Sequence, residues 1–281
     1  MSFIQYVELD NKDVKTTFTS KLGRELGTMG ATRDGRRYAW SLAGEAISTA
    51  IPINPILRGG LAAAALTNIN TTIDTWEPSS TSRSIVLSTT WSTWGAIKDE
   101  YADGWLVVEK STHAYAAGQR VRVKGNTAGS TSTTDSPLHT VITFADDDYL
   151  KAGVDAGATI QVVHNEYFDV IEHDGGGTTL PIIGVPNCEV ADNAYFWAQT
   201  WGPCPVLNDG TLVYGNQVVG STQTDQGVQA LQLLASTGSS DTALASTLAL
   251  ISGVHRLGIG WCLGPSAGDN DYALIFLTIR P

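Results

Sequence analysis

Five histidines and eight tryptophans are the side chains here best equipped for chemistry, and their spacing limits what that chemistry is. His113, His139, His164, His173 and His255 never stand at H-x-x-x-H or H-E-x-x-H spacing, which would put two imidazoles on one helix face, so no zinc site is expected. Glu172, His173 and Asp174 form the densest polar triplet, and neighbours on a glycine-rich loop read as a solvated turn. Asp146, Asp147 and Asp148, and Asp269 with Asp271, offer the oxygen ligands that calcium takes from loops. Neither group follows the EF-hand pattern, and charged turns between apolar strands account for both. No phosphate loop and no nucleophile elbow on a strand-to-helix turn are expected, and Gly258, Gly260 and Gly264 miss the dinucleotide spacing. The chain therefore reads as a non-enzyme without metal or cofactor, although paired carboxylates for glycoside hydrolysis leave no signature in sequence spacing.

Binding residues are easier to find. Arg33, Arg36, Arg37, Tyr38 and Trp40 form the densest arginine and aromatic group, the composition of a protein-contact hot spot. Trp91, Trp94 and Trp201 could stack on sugar rings, though tryptophans of a β-rich chain also serve as core. Near the C-terminus Leu257, Ile259, Trp261 and Leu263 alternate with Gly258, Gly260, Cys262 and Gly264. A flat glycine face of that kind admits a close backbone or another subunit, so Gly258, Gly260 and Trp261 are expected at a subunit contact. Cys188, Cys204 and Cys262 fit no C-x-x-C pair and read as buried free thiols.

The elements that must position these residues are mainly strands. Short runs rich in Val, Ile, Thr and aromatics recur between Gly, Asp and Asn turns, which predicts antiparallel β-sandwich or barrel-like domains, jelly-roll-like among the options. Asp34-Gly35 predicts a hairpin, with a strand at Arg37 to Trp40. Residues 105–171 hold four or more strands. In one of them, Arg120-Val121-Arg122-Val123-Lys124, the period of two sends valines inward and cations to water. The closing run YALIFLTI is apolar throughout and reads as a strand buried on both sides. One or two short helices are expected, at Gly227 to Ala235 and Asp241 to Ile251, while Gly59 to Asn70 suits a helix or a strand of small residues. Residues 1–30 show no periodicity and read as an extended arm. A boundary at the triglycine of 172–179 then gives a β-rich domain over 31–174, read also as an insertion, and a C-terminal β domain over 175–281 that completes the core.

Bulk composition excludes further classes. With 281 residues, 42% hydrophobic, the chain can bury a sizeable core. Its 17 basic against 28 acidic residues, net charge -11, leave little footprint for nucleic acid. The apolar stretch from Ala46 to Leu66 is broken by Pro52, Asn54, Pro55 and Arg58, short of the roughly 18 to 20 residues that span a bilayer. The first residues lack the pattern of a secretory signal, so a soluble chain with no membrane partner is expected.

Four segments in order, GRRYAWSLAGEAI (35–47), YADGWLVV (101–108), AYFWAQTWGPCPVL (194–207) and YALIFLTIRP (272–281), resemble decoration or cement proteins of tailed-bacteriophage heads. The resemblance implies a virion structural protein on the outer surface of the capsid, assembled in the host cytoplasm. It would clamp neighbouring capsomers as a homotrimer, with the major capsid protein and itself as partners. In that setting Arg33, Arg36, Arg37, Tyr38 and Trp40 become the expected capsid contact, and the arm adds strands to a partner's sheet. The competing expectation is a tail or head-fibre adhesion module that binds host-surface carbohydrate; a polysaccharide depolymerase has no motif in its support.

Overall fold

The computed structural model describes residues 6–47, 55–58, 69–72, 83–88, 98–112, 115–128, 139–155, 158–173, 181–221, 227–231, 258–266, 268 and 271–280. The fold is mainly β, as expected, with two antiparallel-rich sheets. Contacts divide the chain into two units, Met1–Gly60 with Tyr167–Pro281, and Leu61–Glu166. The second is inserted into the first, so the division falls at 60 and 166, where the sequence reading placed it at 30 and 174.

In the first unit, with strands numbered in chain order, β1 (Val7–Leu9), β2 (Met29–Thr32), β3 (Arg37–Leu42) and β4 (Leu57–Arg58) precede the insertion. After it come β11 (Ile171–Glu172), β12 (Ile182–Pro186), β13 (Tyr195–Leu207), β14 (Gln217–Gly220), β15 (Val228–Ala230), β16 (Gly260–Gly264) and β17 (Tyr272–Thr278). The sheet runs β1-β2-β3-β13-β17-β16-β14-β15, with β12 joining β13 to β4, and β4 pairing β11. Among the described strands only β1 and β2 pair in parallel. Arg33 to Arg36 form the hairpin turn expected at Gly35, whose φ of 87° suits the absence of a Cβ.

β13 is the axis of this sheet. Its first half pairs with β3, bringing Trp197 opposite Trp40, and its second half pairs with β17 over Trp201 to Leu207. Between the halves the register slips, and Gly202 takes φ 94° against Arg36. The Gln199 amide braces this bulge, donating to the carbonyls of Trp201 (3.2 Å) and Pro203 (3.0 Å). Trp40, Trp197, Tyr38 and Phe196 are fully buried around it. The segment expected as an arm lies, over residues 6–30, on this sheet: Leu9, Val14 and Leu26 are buried in the same core, and Arg24 stands over the rings of Trp40 and Trp197.

In the second unit β5 (Ile69–Thr72), β6 (Ser84–Ser88), β7 (Trp105–Lys110), β8 (Arg120–Asn126), β9 (His139–Phe144) and β10 (Thr159–Val163) form one antiparallel sheet in the order β5-β10-β7-β8-β9-β6. Val121 and Val123 are buried and Arg120 and Lys124 exposed, as the alternation requires. Leu106, Val108, Ile142, Phe144, Ile160 and Val162 complete the inner face, covered by Tyr101, Leu150 and Val154 from connecting segments.

Two expectations are corrected. Val228–Ala230, the start of the expected helix at Gly227 to Ala235, is a strand, because pairing with β14 outweighs local propensity. Ile69–Thr72 is a strand, one of the two options left open for Gly59 to Asn70; residues 59–68 and the expected helix at 241–251 lie outside the described residues. β17 is buried on one side, through Ala273, Ile275 and Leu277, while Leu274 is exposed and Phe276 half-buried.

Candidate functional site

The outward side of β17 is where apolar surface gathers. Register places Phe276 between Pro203 on β13 and Trp261 on β16, with Gln217 of β14 beyond Trp261. The Trp261 and Phe276 rings stack at 4.7 Å and 6°, and Trp201 meets Phe276 edge-on at 5.5 Å. The Arg37 guanidinium covers Trp201 at 5.6 Å and donates to the Tyr6 hydroxyl at 3.1 Å. Alongside, a turn closed by Val213 N–H on the Asn216 side chain (2.9 Å) is bonded to β16 through Gly215 N–H and Cys262 O (2.9 Å). It holds Val213 and Tyr214 outward, Tyr214 at 71% exposure beside Trp261 at 42%. Four of the first unit's five exposed large hydrophobics among the described residues, Val213, Tyr214, Trp261 and Leu274, thus lie on β16, β17 and the turn bonded to β16. Such a concentration marks a contact surface, since scattered single apolar residues would need no explanation.

The expected contact group is divided by the structure. Arg33 is exposed and pairs with Glu8 at 3.0 Å, and Arg36 pairs with Asp34 at 2.8 Å and donates to Asn11. Tyr38 and Trp40 are a correction. Both are fully buried, so neither side chain can meet a partner. The Tyr38 hydroxyl instead accepts from Asn187 at 3.1 Å, and burial pushes its pKa well above the ordinary range. Of the expected sugar platform, Trp201 is packed between Arg37 and Phe276, and Trp91 and Trp94 lie outside the described residues. The flat glycine face is filled by the chain itself: a Cβ on Gly260 would overlap the Phe276 carbonyl, and one on Gly258 the Gln217 side chain.

The polar candidates resolve into structure. Asp148 accepts the backbone N–H groups of Arg122 (2.7 Å) and Tyr149 (2.9 Å), and Asp146 pairs with Lys124. Asp271 is exposed and Asp269 lies outside the described residues. His173 is buried, with Nε2 donating to the Ser221 carbonyl at 3.0 Å, which replaces the solvated turn expected there. His164 stands 3.2 Å from Glu100, and His113 and His255 lie outside the described residues. Among the described residues no group of three or more His, Cys, Asp and Glu is placed to hold a metal ion. Sequence reasoning missed one motif: Gly264-Pro265-Ser266-Ala267-Gly268 has the G-x-S-x-G spacing. It follows a strand but leads into β17 rather than a helix, and Ser266 is buried with its backbone bonded to Leu212, so it is not an elbow.

Cys204 and Cys262 face Ile275 from its two neighbouring strands, two strand spacings or roughly 9 to 10 Å apart, too far for a disulfide. Burial pushes the Cys204 thiol up to about 12 and the Cys188 thiol up to about 11. At pH 8 a thiol at about 11 is ionised about once in a thousand molecules, and the thiolate is the nucleophile. Iodoacetamide at pH 8 is therefore expected to leave the folded chain unmodified and to alkylate all three cysteines in urea, as read by mass spectrometry. A rapid adduct on native Cys188 would contradict this.

Compared with protein-family models, with curated proteins and with solved structures, the chain matches none.

Proposed function

We propose that this chain is a non-enzymatic virion structural protein that docks on the outer surface of a phage capsid and cements neighbouring capsomers, as a homotrimer with the major capsid protein as its partner. The aromatic ridge around Trp261 and Phe276 carries the reading. It is preformed on a sheet, holds two tryptophans and an adjoining arginine, and exposes apolar surface that a partner would remove from water. The segments resembling cement proteins support it too: three of the four supply β3, β13 and β17, adjacent in one sheet, and two of those supply Trp201, Leu274 and Phe276.

The test is co-sedimentation with expanded heads stripped of accessory proteins, with unexpanded heads as control. Saturable binding to expanded heads alone, at a multiple of the capsid's symmetry, is expected. Trp261→Ser is expected to weaken it at least tenfold, since truncating a central interface tryptophan commonly costs about 2 kcal/mol or more. Being half-exposed, the same change should move stability by no more than about 1 kcal/mol. Tyr115→Ser, at an exposed site in the second unit, is expected to bind like the parent. Failure of the parent to bind either kind of head would overturn the proposal.

A further inference from the structure

The inserted unit has a sheet face with a chemistry of its own. The six-stranded sheet of Leu61–Glu166 gives its core side chains to one face, so alternation sends the others outward: Trp105 on β7, Arg120, Arg122 and Lys124 on β8, and Gln161 on β10. Register puts Trp105 directly opposite Arg122 and next to Val163, and places Val107 between Arg120 and Gln161. Trp105 is 41% exposed, and the Arg120 guanidinium stands 5.3 Å from its ring centre. Lys124 is engaged by Asp146 at 2.7 Å, and Glu109 lies four residues along β7 from Trp105, roughly 13 Å away. One guanidinium thus covers an exposed indole and a second arginine stands opposite it in register, in a chain whose net charge is -11.

We infer that this outward face of β10, β7 and β8 is a binding site for an acidic polysaccharide. A sugar ring presents an apolar C–H face that packs on an indole, and its carboxylate or sulfate groups match the planar donors of Arg120 and Arg122. Gln161 adds an amide that can both donate to and accept from ring hydroxyls. A nucleic acid is a poorer fit, because its closely spaced phosphates call for a longer cationic track than two arginines and one lysine already paired with Asp146. The site shares no residue with the Trp261 ridge, so the variants that test the one leave the other's residues unchanged.

The test uses the full chain in affinity electrophoresis and calorimetry at about 50 mM salt, with polygalacturonate and dextran sulfate as carboxylate and sulfate probes. Neutral dextran, polyglutamate and oligothymidylate are the controls. Saturable binding to at least one acidic glycan is expected, at least tenfold tighter than to any control. Arg120→Gln with Arg122→Gln should weaken it tenfold or more, and Trp105→Ala at least threefold with the charge unchanged. These outward positions leave the buried residues of the sheet in place, and far-UV circular dichroism confirms that the variants fold. Arg120→Lys, which keeps the charge and loses the planar group, should fall between the parent and the double variant. Equal binding of polyglutamate or oligothymidylate would make the face a general anion surface and overturn the inference, as would unchanged binding in the double variant or no glycan binding by the parent.

Discussion

Trp40→Ala is expected to cost roughly 3 to 5 kcal/mol of stability, the range for emptying a fully buried aromatic site. Trp40 has no exposed surface, and its ring neighbours come from two separate stretches of chain. Phe18 lies 5.3 Å away by ring centres, Tyr195 is stacked at 5.8 Å, and Trp197 is tilted at 4.9 Å. The hole cannot close easily, because β13, which carries two of these rings, is held on its far half by seven consecutive register pairs with β17. Arg24 would lose one of the two rings under its guanidinium, loosening the segment over which residues 6–30 lie on the sheet. No hydrogen bond is lost, since the Trp40 indole N–H has no hydrogen-bond partner. Trp40→Phe, which removes that buried N–H and keeps much of the ring, should therefore cost distinctly less than alanine. Urea unfolding measures both as midpoint shifts at constant slope. A cost below about 1 kcal/mol for alanine would mean that the core relaxes around the site and that this packing account is wrong.

Gly260→Ala is expected to destabilise by about 2 kcal/mol or more, from a single methyl group. That methyl would overlap the Phe276 carbonyl oxygen and lie 2.9 Å from its carbon, and these are backbone atoms that cannot rotate away. β16 and β17 must separate, which strains the ladder and pulls apart the directly opposed Trp261 and Phe276. The experiment also decides between two reasons for the glycine. If it serves the fold of one chain, the loss is the same at protein concentrations about a hundredfold apart. If it serves a contact between subunits, as the sequence suggested, the loss is largest in concentrated solution and shrinks on dilution.

What could be read from the sequence follows from how local each signal was. The Arg120 to Lys124 alternation was legible because one face is wet and one dry, so side-chain polarity reports direction. The run in β17 carried no such contrast. Leu274 and Phe276 face outward into the ridge, and an apolar residue on a contact surface looks the same in sequence as one in a core. The arginines beside Tyr38 and Trp40 suggested a single surface group. Yet β3 lies between β2 and β13 with both faces covered, and only Arg33, Arg36 and Arg37, at and before its start, reach outward. The triglycine drew the domain boundary by composition, while the second crossing between units falls inside HNEYFDVIEHD, where Tyr167 is buried and composition does not change. The Trp261 ridge was half legible, through its glycine alternation, but the Phe276 that completes it is a partner only by register.

The strand pair β4 and β11 holds a consequence at the level of the gene. Arg58 faces Ile171 and Leu57 faces Glu172, so the chain leaves the larger unit and re-enters it at neighbouring positions of one antiparallel pair. Every strand of the eleven-stranded sheet lies outside Leu61–Glu166, and every strand of the six-stranded sheet lies within it. Two crossovers flanking those codons therefore exchange one inserted module for another without cutting a strand of either sheet. A lineage can change what the inserted unit presents to its surroundings by recombination, while the scaffold that carries it is inherited intact.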